Sequence, residues 1–78
     1  MMNDNEIARC VSKAMDGYFR DLDGEKPCAI YNMVISSVEK PLLELVLHRA
    51  AGNQTQAAQL LGLNRNTLRK KMKEYGIK

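Results

Sequence analysis

Apolar residues recur along the first third of the chain at Ile7, Val11, Met15, Tyr18 and Leu22, in steps of four, four, three and four. That spacing lines them up on one stripe of an α-helix and leaves the other faces polar. Asn3 with Glu6 has the form of a capping box at its start, and Gly24 can close its end in a left-handed conformation. The stretch "DGEKP" predicts a short connection to the next element. From about Ala29 to Ala51 the pattern broadens. Ile30, Val34, Val38, Leu42, Leu45 and Val46 cover a wide arc of a second helix, with Met33, Leu43 and Leu47 on its far side. A helix that is apolar on nearly every side must be covered on nearly every side. One short chain has too few other elements for that, so a second copy is the expected cover. Pro41 lacks the N–H that would bond the Ser37 carbonyl, which predicts a bend in this helix.

The last third reads as two shorter helices. Asn53 followed by Gln56 is a second capping-box-like start, and Ala57, Ala58, Leu60 and Leu61 make a short helix with small residues on its packing side. Gly62 suits a left-handed stop, Leu63 fills the turn, and Asn64 can cap the helix that follows. Leu68, Met72 and Tyr75 form the inner stripe of that helix, and Gly76 ends it. A short helix, a glycine turn and a second helix with a buried leucine make a helix-turn-helix pattern. The expected fold is all-α, with four helices, no internal repeat and no low-complexity segment.

Size sharpens the expectation of self-association. A chain of 78 residues is one compact domain. Such a chain buries only roughly 60% of its unfolded surface, so a lone core gives little stability. Its 45% hydrophobic and 27% charged residues are those of a globular protein. Charge is distributed unevenly. Residues 1–48 carry five Lys/Arg against eight Asp/Glu, a balance of −3, and residues 49–78 carry seven against the single acid Glu74, a balance of +6. With a sequence pI of about 9.0, that asymmetry points to a polyanion at the C-terminal end.

The cations concentrate in "NRNTLRKK". With Leu68, Met72 and Tyr75 turned inward, Asn66, Lys70 and Lys73 point away, flanked by Arg65 and Arg69. Asn64, Arg65, Asn66 and Thr67 occupy the first turn, the part of a helix-turn-helix that enters the DNA major groove. Arginine bonds guanine bidentately and asparagine does the same for adenine, so Arg65 and Asn64 or Asn66 are the candidate base readers. Thr67, Arg69, Lys70 and Lys73 have the chemistry of phosphate contacts, which position a protein without reading sequence. Asn53, Gln54 and Thr55 begin the preceding helix, whose free amides also favour phosphate.

The segment "PLLELVLHRAAGNQTQAAQLLGLNRNTLRKKMKEYGIK" resembles the Fis family, the factor for inversion stimulation, and the likeness continues upstream through "YFRDLDG" and "VEKPLLE" to cover residues 7–78. The resemblance implies an intertwined homodimer. Residues 1–51 supply the dimerisation helices and residues 52–78 the DNA-binding helix-turn-helix. It further implies a low-specificity protein that binds and bends double-stranded DNA as a nucleoid-associated transcriptional regulator in the cytoplasm. The paired recognition helices of this family lie closer together than one DNA turn, so deformable sites are favoured over a strict sequence. By match to the family motif, Asn53, Thr55, Asn64, Arg65, Thr67, Arg69 and Lys70 take DNA contacts, with Arg65 the leading base reader.

Departures from the family pattern trim the partner list. Members that stimulate a site-specific recombinase carry longer N-terminal arms, whereas about six residues precede the first helix here. The turn "HRAA" has Ala51 where the family places a basic residue, which argues against an RNA polymerase contact through it. Asn66 stands in place of a usual glycine and Glu74 in place of a usual lysine, changes expected to alter groove fit and phosphate attraction.

Other classes fit less well. The same helix-turn-helix occurs as the C-terminal output domain of enhancer-binding activators of the nitrogen-regulator type, which share "GN…AA.LLG..R.TL..K"; this is the alternative reading. A membrane-surface helix favours a broad bulky face over the narrow Leu68, Met72, Tyr75 stripe. Cys10 and Cys28 stand outside any CxxC, and with one histidine, His48, they cannot assemble a four-ligand zinc site from Cys and His alone. They read as free thiols in a reducing compartment. "MMNDNEIARC" lacks the apolar core of a signal peptide, and no apolar run approaches a membrane span. No nucleophile–base constellation accompanies His48, so neither an enzyme nor a cofactor is expected.

Overall fold

The computed structural model describes residues 4–78, and side chains from Glu6 onward. Its elements are α1 (Asp4–Leu22), α2 (Ile30–Arg49), α3 (Gln54–Leu61) and α4 (Arg65–Tyr75). The expected all-α chain of four helices is what forms. Asn3 of the first capping box lies outside the described residues. The chain divides by its contacts into two units, Met1–Ile30 and Tyr31–Lys78.

Within the first unit, α1 carries the predicted stripe. Ile7 and Val11 are exposed, Met15, Tyr18 and Leu22 are half-buried, and the Phe19 ring meets the Tyr18 ring edge-on at 5.6 Å. The helix ends at Leu22, where Asp23 and Gly24 both take positive φ and the Glu25 amide bonds back to the Leu22 carbonyl. Cys10 and Cys28 are free and exposed.

The second unit holds the core. Leu43, Leu47 and Ala50 of α2 and its end, Ala57 and Ala58 of α3, and Leu68 and Met72 of α4 are buried in one cluster. Val46, Leu61, Tyr75 and Ile77 pack on its margin. Helix α3 lies against α4 through its two alanines, which allow the backbones to approach closely. Leu61 packs on the margin of the same cluster, whereas Leu60 faces outward at 61% exposure. The two leucines are neighbours in sequence and so point ~100° apart around the eight-residue helix.

Helix α2 runs unbroken through Pro41. One turn upstream, Ser36 Oγ donates to the Asn32 carbonyl and Ser37 Oγ to the Met33 carbonyl, each at 2.6 Å. Such back-bonding competes with the helical ladder and favours bending, in the same turn where Pro41 leaves the Ser37 carbonyl without its usual donor.

Each of the last three helices ends the same way. At Gly62 and Gly76 the backbone turns left-handed, and the next amide reaches back, Leu63 to the Ala58 carbonyl and Ile77 to the Met72 carbonyl. At the end of α2 the equivalent left-handed residue is Ala51, φ 53, with Gly52 N–H donating to the Leu47 carbonyl at 2.9 Å. An L-residue pays roughly 1–2 kcal/mol in that conformation. Ala51→Gly is therefore expected to stabilise the fold by up to about 1 kcal/mol, after the greater freedom of glycine in the unfolded chain is subtracted. Thermal denaturation followed by circular dichroism measures it; an unchanged or lower midpoint contradicts the strain.

Candidate nucleic-acid interface

Both helices of the C-terminal pair begin at an asparagine cap. Asn53 Oδ1 accepts from the Gln56 amide at 3.0 Å, and Asn64 Oδ1 accepts from the Asn66 amide at 2.8 Å. Both caps have extended backbone, as a residue at the threshold of a helix must. The reciprocal half of the expected Asn53–Gln56 box is replaced: the Asn53 amide donates to the Ala50 carbonyl at 3.0 Å, so the turn out of α2 supplies that acceptor. The other first-turn amides of α3 and α4 have no partner within their own helices, and the helix dipole there favours negative charge.

Helix α4 separates its chemistry by face. Leu68 is fully buried and Met72 nearly so. Arg65, Asn66, Thr67, Arg69, Lys70 and Lys73 are exposed, as are Asn53, Thr55 and Asn64, while Gln54 is half-buried. Among the described residues, the outward cations of α4 make no ion pair. Gln54, Arg69 and Lys73 come together around an open groove of about 300 Å³ between the start of α3 and the flank of α4, with Met72, Ile77 and Lys78 completing its lining. Lys78 was not among the residues singled out by pattern, since it follows the Gly76 stop and no periodicity places it.

One cation of "NRNTLRKK" behaves differently. Lys71 turns toward α2, where its Nζ lies 2.8 Å from Glu39 Oε2, and the Tyr75 hydroxyl donates to the other carboxylate oxygen. No sequence pattern links Glu39 to residues 32 and 36 positions downstream. The bond from Lys71, then that from Tyr75, holds the Glu39 carboxyl below its ordinary 4.5. The same bond raises Lys71, and accepting from Tyr75 pushes that phenol up to about 12, with partial desolvation adding to it.

Residues 34–75 match the family described as bacterial regulatory protein, Fis family. A Fis-like DNA-binding protein of Ralstonia nicotianae is 51% identical over 76 residues, 97% of this chain and 99% of its own length. A protein of the same description from Neisseria meningitidis serogroup A is 49% identical over 92% of this chain and 91% of its own. The DNA-binding protein Fis of Glaesserella parasuis is 46% identical over 95% of this chain and 76% of its own.

The three linked groups make stability depend on pH at both extremes. The lowered Glu39 contributes stability present above its unfolded value and lost as pH falls through the folded one. The raised Tyr75 contributes stability fully present below its ordinary 10.0 and lost as pH climbs toward about 12, and the raised Lys71 likewise loses its share in alkali. In Glu39→Gln, ultraviolet titration is expected to show Tyr75 ionising nearer 10 than 12. An unmoved phenolate transition rules out Glu39 as the cause.

Proposed function

The chain belongs to the Fis family of bacterial regulatory proteins, and on that premise we propose that it is a dimeric, low-specificity DNA-binding and DNA-bending protein, a nucleoid-associated regulator of transcription. The observation that carries the DNA part is the division of α4: Leu68 and Met72 seated in the core, and unpaired Arg65, Arg69, Lys70 and Lys73 exposed beside Asn66 and Thr67. A duplex presents one phosphate charge per roughly 1.7 Å, and such a face displaces its counterions. In this reading Arg65 and Asn66 meet base edges in the major groove, while Thr67, Arg69, Lys70, Lys73, Asn53, Gln54 and Thr55 hold the backbone. Asn64 has its oxygen engaged as a cap, so its amide hydrogens suit a phosphate better than adenine. The likeness to Fis-like relatives over 97% of the chain extends well beyond the pattern shared with activator output domains, and favours the regulator reading over that alternative.

Support for a dimer comes from the outer side of α2. Tyr31, Ile35, Val38, Leu42 and Leu45 follow one another in steps of four, three, four and three, opposite the Leu43–Leu47 stripe, and are 75, 37, 46, 44 and 56% exposed. That alternation is the seam of a helix that pairs with another helix. Residues 1–51 thus supply the dimerisation helices and residues 52–78 the DNA-binding unit. Analytical ultracentrifugation at micromolar concentration is expected to show a dimer, and a monomer there defeats this half of the proposal.

Gel shifts of phased duplexes across a salt series test the other half: mobility should vary with phasing and affinity should fall steeply with salt. Arg65→Ala is expected to lose roughly 1–3 kcal/mol with relaxed sequence preference, and Lys70→Ala to weaken all duplexes alike. Equal losses on specific and random duplexes for Arg65→Ala contradict its part as a reader.

A further inference from the structure

From the Glu39–Lys71–Tyr75 cluster we infer that Lys71, despite standing inside the cationic run, is withheld from DNA, and that Glu39 and Lys71 are positioning residues that fix how α4 is presented. This rests on the DNA-binding reading of α4. Around the helix, Lys71 lies ~100° from Lys70 and about as far from Met72 on the other side, between the outward face and the core stripe. Its side chain is 28% exposed, and its ammonium is taken by the carboxylate of Glu39, whose side chain is 23% exposed, 32 residues earlier in the chain.

The geometry joins α2 to α4 at two points one helical turn apart, Lys71 and Tyr75, through the two oxygens of one carboxylate. Two bonds along the axis resist rocking of α4 in a way one bond cannot. Leu68 and Met72, adjacent in the core, set the depth of α4 but are apolar contacts without direction, and tolerate rotation better than charge-assisted bonds do. Glu39 lies on the helix that also carries the exposed seam. The tie therefore relates the reading helix to the helix that sets the dimer spacing. A base-reading side chain needs its hydrogen bonds within tenths of an ångström, whereas a lysine on phosphate does not. Loosening the tie should thus cost discrimination and leave the number of phosphate contacts unchanged.

The test is the dependence of log affinity on log salt, on a preferred and a random duplex, for the full chain and for Lys71→Met, Glu39→Gln, Lys70→Met and the charge-swapped pair Glu39→Lys with Lys71→Glu. Lys70→Met should reduce the salt slope by about 0.9 on both duplexes, as loss of one phosphate contact does. Lys71→Met and Glu39→Gln should keep the full slope and narrow the preferred-to-random ratio several-fold. The swapped pair should restore that ratio, a rescue that mere loss of stability does not produce. A slope lowered by Lys71→Met as by Lys70→Met overturns the inference, as does a swapped pair that stays as undiscriminating as its single variants. Unaltered protein that ignores duplex DNA fails the DNA-binding reading itself; salt-sensitive binding with either of the other adverse results fails this inference alone.

Discussion

The seating of Leu68 and Met72 of α4 in one buried cluster with Leu43 and Leu47 of α2 is the interaction on which the outward face of the molecule depends. A fully buried leucine contributes roughly 1.5–3 kcal/mol, a large share of what a chain this small can muster. The alanines at 50, 57 and 58 matter because they are small: they let α3 and the turn out of α2 close over the leucines. Once that cluster forms, the helical period alone carries Asn66, Lys70 and Lys73 to the far side of α4. The cationic face is thus a by-product of where the leucines go.

Helix α2 serves two surfaces at once. Its Leu43–Leu47 side belongs to the core and its Tyr31–Leu45 side is left uncovered. The broad apolar arc in the sequence was legible as a demand for cover, and the structure sorts that arc into an inner stripe and an outer seam. Its C-terminal end also supplies the acceptor for the Asn53 amide, so the helix that offers the seam starts the helix-turn-helix as well.

Most of the fold could be read from local signals. Asn53, Asn64, Gly62 and Gly76 each have a steric or hydrogen-bonding reason to stand where a helix starts or stops, and each does so. The inner and outer faces of α4 followed from periodicity. What escaped the sequence was long-range or non-ideal. Which of Leu60 and Leu61 joins the alanines on the core is a choice between neighbours that composition does not make; Leu61 does, and Leu60 is exposed. Lys71 is not assigned to DNA by pattern, but its carboxylate partner Glu39 comes from another helix and has no local signal. Ala51 in a left-handed turn defies residue preference, and only the fold imposes it. The sequence marked out the exposed polar side chains of α4 and left Lys71 aside, but gave no sign of Lys78 beside them or of the Glu39 carboxylate that Lys71 meets.

The caps and stops of the C-terminal pair have a kinetic consequence. Each joins residues no more than five positions apart, from the Asn53 and Asn64 oxygens to the back-bonds at Leu63 and Ile77. Loops that short lose little chain entropy on closing, and helical units dominated by them assemble within microseconds to milliseconds. The two helices that carry the cationic face therefore need little time to organise once their residues are free to fold.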